Sequence, residues 1–163
     1  YIPKPKALIK INLPLQNTTH FSDEFLSFNY SNSANLQYKE SRYSLIYPNY
    51  QSEINFYIST FDTLDNRIAV FYNNNILPHK NQGAFIKQKS FEDSVLNKYA
   101  ILFYLDGDNI ATSSQFFITD KKKYFVFGGM MFDSSINYSM SAKNEIMKKE
   151  VFNFLNSFNW SSN

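Results

Sequence analysis

The 163-residue chain has no cysteine. A disulfide frame, a thiolate metal site and a cysteine nucleophile are therefore excluded, and the redox compartment cannot be read from thiol usage. Glycine is almost as scarce: Gly83, Gly107, Gly128 and Gly129 are the only four. They make neither a dinucleotide fingerprint nor a Walker loop, so no backbone cradle for phosphate is present. The only histidines are His20 and His79, both in polar, loop-like surroundings. Neither sits near a Gly-x-Ser-x-Gly elbow or in a His-x-x-x-His pair, which leaves serine hydrolysis without a base and zinc without a ligand set.

The sequence also lacks an apolar run of about 20 residues and a signal-peptide pattern. Because the chain begins at Tyr1 without a start methionine, a targeting segment is expected to have preceded it. A basic stripe is missing too. Sixteen Lys and Arg face 14 Asp and Glu, and the one cluster, Lys121, Lys122 and Lys123, lies between two strand-like runs as a solvated turn. No nucleic-acid partner is expected.

What the chain has in excess is aromatic side chains: 17 Phe and 12 Tyr within a 44% apolar composition, enough for one core and one domain. The expected organisation is an extended tether and lead-in over 1–20, a single α+β domain over 21–160 and a tail over 161–163. Pro3, Lys4 and Pro5 favour the extended backbone of such a tether. Asn17 to Asp23 is polar and turn-like.

Period-two alternation predicts strands at FLSFNY, NLQYKE, RYSLIYPNY and SEINFYIST, with Pro48 marking a break or an edge. The period then changes. Leu64, Ile68, Phe71, Tyr72 and Ile76 share one helical face, with Asp62 or Thr63 as N-cap, Pro78 as terminator and Asn73 to Asn75 in a fraying turn or loop. Three strands follow, KYAILFYL, NIATSSQFFIT and KYFVFGGMMF, joined by turns at Asp106-Gly107 and Asp120 to Lys123 as an antiparallel meander. A helix from Ser141 to Phe158 closes the chain, with Met147, Val151, Phe154, Leu155 and Phe158 as its apolar stripe and Glu145 in its positive first turn.

Several stretches resemble sites. Asp106-Gly107-Asp108 starts like a calcium loop, but the sixth-position glycine and twelfth-position glutamate of an EF-hand are replaced by Ala111 and Phe117, and a hairpin turn needs only what is there. The adjacent carboxylates Glu92-Asp93 and Asp23-Glu24 point apart and cannot flank a glycosidic bond. Thr112, Ser113, Ser114 and Gln115 cover both faces of a strand, so two of them need buried partners or an exposed strand end. Gly128-Gly129 inside a strand predicts a bulge, with packing against a helix or close ligand approach as alternatives.

Three segments in order, YIPKPKALIKINLP, IATSSQFFITDKKKYFVFGGMMF and VFNFLNSFNW, resemble the gliding-motility lipoprotein D (GldD) family of Bacteroidetes over about Tyr1 to Trp160. Lys10, Asn12 and Phe127 depart from that pattern, where arginine, aspartate and arginine are usual. The resemblance implies an envelope protein, lipid-anchored through an acylated cysteine just before Tyr1, without catalytic activity or cofactor, at the outer membrane facing the periplasm. It implies a structural role in gliding and type IX secretion, with other envelope proteins as partners. Ser113, Ser114, Gln115, Asp120, Gly128 and Gly129 are then the candidate interaction surface. A small-ligand or glycan-binding module using the same polar patch is the alternative. The element order also looks like the PsbP/Mog1-type architecture, an antiparallel sheet covered by helices, which carries no function by itself.

Overall fold

The computed structural model describes residues 17–161. Pro3, Lys4, Pro5 and the rest of the expected tether up to residue 16 lie outside the described residues. The fold is α+β, with all strand pairs antiparallel.

The described residues open with β1 (Thr18–Ser22) and β2 (Leu26–Ser31), a hairpin in which Thr18 faces Ser31 and Ser22 faces Ser27. The polar stretch that composition predicts as a turn is thus a strand, which crosses the expected boundary at residue 21. Its side chains stay largely exposed, so period and polarity gave no strand signal. A meander follows, β3 (Asn35–Lys39), β4 (Arg42–Tyr47) and β5 (Ser52–Thr60). Pro48 begins a 3-10 turn, and Gln51 takes the left-handed φ of 52° that reverses the chain between β4 and β5.

Helix α1 (Leu64–Asn75) starts after Thr63, which is extended at the cap position but makes no side-chain cap bond. Asn73 to Asn75 remain helical. Pro78 does not simply end the segment: its fixed φ suits the first turn of a second helix, α2 (Leu77–Asn81). The second half contributes four strands to the main sheet, not three: β6 (Phe85–Asp93), β7 (Lys98–Asp106), β8 (Ser114–Thr119) and β9 (Tyr124–Phe132). Strand β6 escapes the periodicity test because it is mostly exposed. Helix α3 (Ser141–Ser157) and the short β10 (Asn159–Trp160) come last among the described residues, and β10 pairs with β2 through Asn159 and Trp160. Glu145 falls beyond the first turn of α3 and pairs with Lys148 at 3.3 Å.

The main sheet has the order β3-β4-β5-β9-β8-β7-β6, and a small sheet has the order β1-β2-β10. Each face of the main sheet has its own cover. Phe71 and Ile76 from the α1–α2 segment pack on Phe103, Phe117 and Phe125. On the other face, Met147, Val151, Phe154 and Leu155 of α3, with Leu26 and Phe28 of β2, cover Tyr43, Phe56, Phe116 and Met130. Central strands are buried on both faces for this reason, and β8 has no exposed residue. Each large side chain so removed from water contributes about 1.5–3 kcal/mol.

Candidate functional site

The connection between β7 and β8 is a seven-residue loop and not a tight Asp-Gly hairpin. Asn109, with φ of 59°, supplies the left-handed residue expected at Gly107. Ile110 folds back into the core, its carbonyl accepts from the Ile136 amide at 2.8 Å, and the Ala111 carbonyl accepts from the Phe132 amide at 2.8 Å. Among the described residues no three metal-ligating side chains gather, at Asp106-Gly107-Asp108 or elsewhere.

The polar run that follows is consumed inside the protein. Thr112, Ser113, Ser114 and Gln115 are 2%, 1%, 0% and 8% exposed, so they offer no outer surface. Gln115 donates from Nε2 to Thr112 Oγ1 at 3.0 Å and accepts at Oε1 from Asn75 Nδ2 at 3.3 Å, which ties the last turn of α1 to the sheet. Ser113 Oγ donates to Asn144 Oδ1 of α3 at 2.6 Å. One strand end therefore fastens helices on both faces. Within this run, Ser114 Oγ is the one side-chain atom buried without a hydrogen-bond partner among the described residues.

The other residues expected at a surface also have internal tasks. Asp120 Oδ1 accepts from the amides of Lys122, Lys123 and Tyr124, each at 2.9 Å, while Lys121 adopts φ of 61°, so the carboxylate closes the β8–β9 turn. Gly128 and Gly129 do not form a bulge. They pair one-to-one with Phe56 and Asn55 on one side and with Phe116 and Gln115 on the other. A Cβ at Gly129 would strike the Gln115 carboxamide, and one at Gly128 would strike the Asn55 carbonyl oxygen. Close packing within the sheet is what the glycines permit. Next to them, the Arg67 guanidinium of α1 lies 4.5 Å and 4.6 Å from the ring centres of Phe125 and Phe127. The two histidines sit on different elements: His20 on β1, where Nδ1 is 2.7 Å from Asn29 Oδ1, and His79 in α2.

A polar cleft lies elsewhere. A cleft of about 630 Å³ opens where β1 and β2 meet the second half of α3 and the end of β4. Asn29, Tyr47, Glu150, Asn153, Asn156 and Ser157 line it. The Asn29 amide donates to Ser157 Oγ at 2.8 Å. Burial raises the Glu150 carboxyl above the ordinary range, and a hydrogen bond from Ser31 opposes this. The Tyr47 phenol is raised as well, by burial first and by the Glu150 charge second. The result is a carboxyl shifted upward beside a neutral phenol and several amides, a lining that donates and accepts hydrogen bonds without carrying a fixed cation.

None of these cleft residues stands out by motif. One signal was available: Glu150 lies three residues after Met147 and four before Phe154, so it interrupts the apolar face of α3. Its tie to the fold has a measurable consequence. A carboxyl whose folded pKa is raised favours the native state below its unfolded pKa and loses that contribution as pH rises through the folded value. E150Q is therefore expected to stabilise the protein at neutral pH, by no more than about 1 kcal/mol because the group keeps solvent contact, and to flatten the melting temperature against pH above about 4.3. Thermal melts across that range check it; a steeper profile in the variant would contradict the assignment.

The family model for the gliding motility lipoprotein GldD matches residues 1–160. The chain belongs to the GldD family. It is thus a member of a lipoprotein family tied to gliding motility, and the family resemblance carried by its proline-rich start, its meander and its last helix holds over the same span. No curated protein matches the chain. Among the described residues no helix is long and apolar enough to cross a membrane; membership of a lipoprotein family implies attachment to the envelope through lipid.

Proposed function

We propose that this GldD-family chain is a non-catalytic, lipid-anchored structural component of the gliding-motility and type IX secretion machinery, held at the outer membrane and facing the periplasm. The observation that carries the reading is the family match along residues 1–160. The use of the site-like polar residues as internal fasteners supports a scaffolding role. Purified protein is expected to be inert toward ester, glycoside and peptide substrates. Crosslinking in cells is expected to retain it with other envelope proteins. Reproducible turnover abolished by one substitution would overturn the proposal.

A second reading, a small-ligand or glycan-binding module, draws on the cleft around Glu150, whose amides, phenol and protonatable carboxyl suit a neutral polyhydroxylated ligand. It does not draw on Ser113 to Gln115, which are buried.

A further inference from the structure

Strand β6 ends the main sheet, and its outer edge is unpaired among the described residues. It is nine residues long, regularly paired to β7 along its length from Phe85–Asp106 to Asp93–Lys98, and mostly exposed. The opposite edge strand, β3, has five residues. A long straight edge is a template for another strand, and edges of this kind are usually blunted by lysine. Lys87 and Lys89 are placed to do that, yet the same strand carries Glu92 and Asp93 at its other end. The sequence FIKQKSFED is basic first and acidic last, so it complements its own reverse.

We infer that β6 pairs antiparallel with β6 of a second copy, in the register centred on Ser90, and joins two main sheets into one. In this register Lys87 faces Asp93, Gln88 faces Glu92 and Lys89 faces Phe91, each twice by symmetry. Phe85, which is 78% exposed, comes at each end of the pairing beside the turn that follows Asp93 of the other copy. The neighbouring registers are worse. Centring on Lys89 sets that lysine against its copy, and centring on Phe91 shortens the overlap of the two strands to residues 89–93.

The residues are free for these roles. Neither Lys87 nor Lys89 has an acidic partner among the described residues, and the Lys89 ammonium already lies over aromatic rings, 4.6 Å from the centre of Phe152 and 5.7 Å from that of Phe91. Asp93 uses Oδ1 to accept the Val95 and Leu96 amides at 3.1 and 3.2 Å, which leaves Oδ2 for a lysine. Like charges directly opposite each other destabilise a strand pair, whereas opposite charges and cation–aromatic pairs stabilise it. The inference is independent of the proposed envelope role.

Sedimentation equilibrium of the 163-residue chain tests it. The wild-type mass is expected to rise to twice that of one chain with concentration. K87E sets two acidic side chains against each other and D93K two basic ones, so each variant alone is expected to stay at the mass of one chain. An equal mixture of K87E and D93K restores both ion pairs and is expected to return to twice the mass. Circular dichroism establishes that both variants fold, and the Lys87 side chain makes no hydrogen bond among the described residues that K87E would remove. A wild-type chain of single mass at every concentration, a dimer that K87E leaves intact, or a mixture that stays at single mass would each overturn the pairing.

Discussion

Replacing Gly128 with alanine is expected to destabilise the protein by about 3 kcal/mol, the upper end of the usual cost of overpacking. The added methyl would meet the Asn55 carbonyl oxygen, the Phe56 Cβ at 2.6 Å and the Phe56 Cα at 2.7 Å. Two of these are backbone atoms of β5, held in register on both sides by β4 and β9. They cannot move without disturbing the centre of the sheet. G129A is the informative contrast, because the atoms nearest its methyl are the end of the Gln115 side chain and not backbone. That carboxamide can swing aside at the loss of its bonds to Thr112 and Asn75, for about 1 kcal/mol. Urea unfolding of both variants checks the ranking. Equal stability of G128A and G129A would show that β5 yields more easily than its pairing implies.

Truncating Phe154 to alanine is expected to have the larger effect, about 3–5 kcal/mol. The ring is 1% exposed and lies 4.7 Å from Phe56, 5.1 Å from Phe28, 5.5 Å from Phe116 and 6.0 Å from Phe158, centre to centre. It therefore joins α3 to the small sheet and to the middle of the main sheet at one point. Its loss leaves a cavity that rigid neighbours cannot close, and with a total stability of about 5–15 kcal/mol for a domain, F154A would forfeit a large share. F152A, two positions away on a half-buried side where the ring meets Phe91, should cost much less. Denaturant midpoints together with near-ultraviolet dichroism of the aromatic core measure the difference.

Elements whose side chains divide cleanly between core and water were legible in the sequence. The alternation in Tyr43, Leu45 and Tyr47, and in Ile54, Phe56 and Ile58, marks positions that are buried in β4 and β5. The spacing of Met147, Val151, Phe154 and Leu155 likewise marks the buried face of α3. Strands β1 and β6 were not legible, since a strand held by backbone pairing at an exposed edge needs no apolar alternation. The hairpin at Asp120 was legible because one carboxylate reaching three following amides is local chemistry. The loop after Asp106 was not, because its path depends on Ile110 reaching a core built by distant residues.

By itself, the sequence determined the α+β class, the aromatic core, the absence of thiol chemistry and, through its ordered segments, the family. These depend on composition, period and residue identity along the chain. Only the tertiary structure decided what Thr112 to Gln115 do, why the paired glycines are there and where a polar cleft opens. Each of those answers is a distance between segments: Gln115 to Asn75, Gly128 to Asn55, Glu150 to Tyr47. Hydrogen bonding and packing act over a few ångströms in space, and residues 40 to 103 positions apart are brought within that range only by the finished fold.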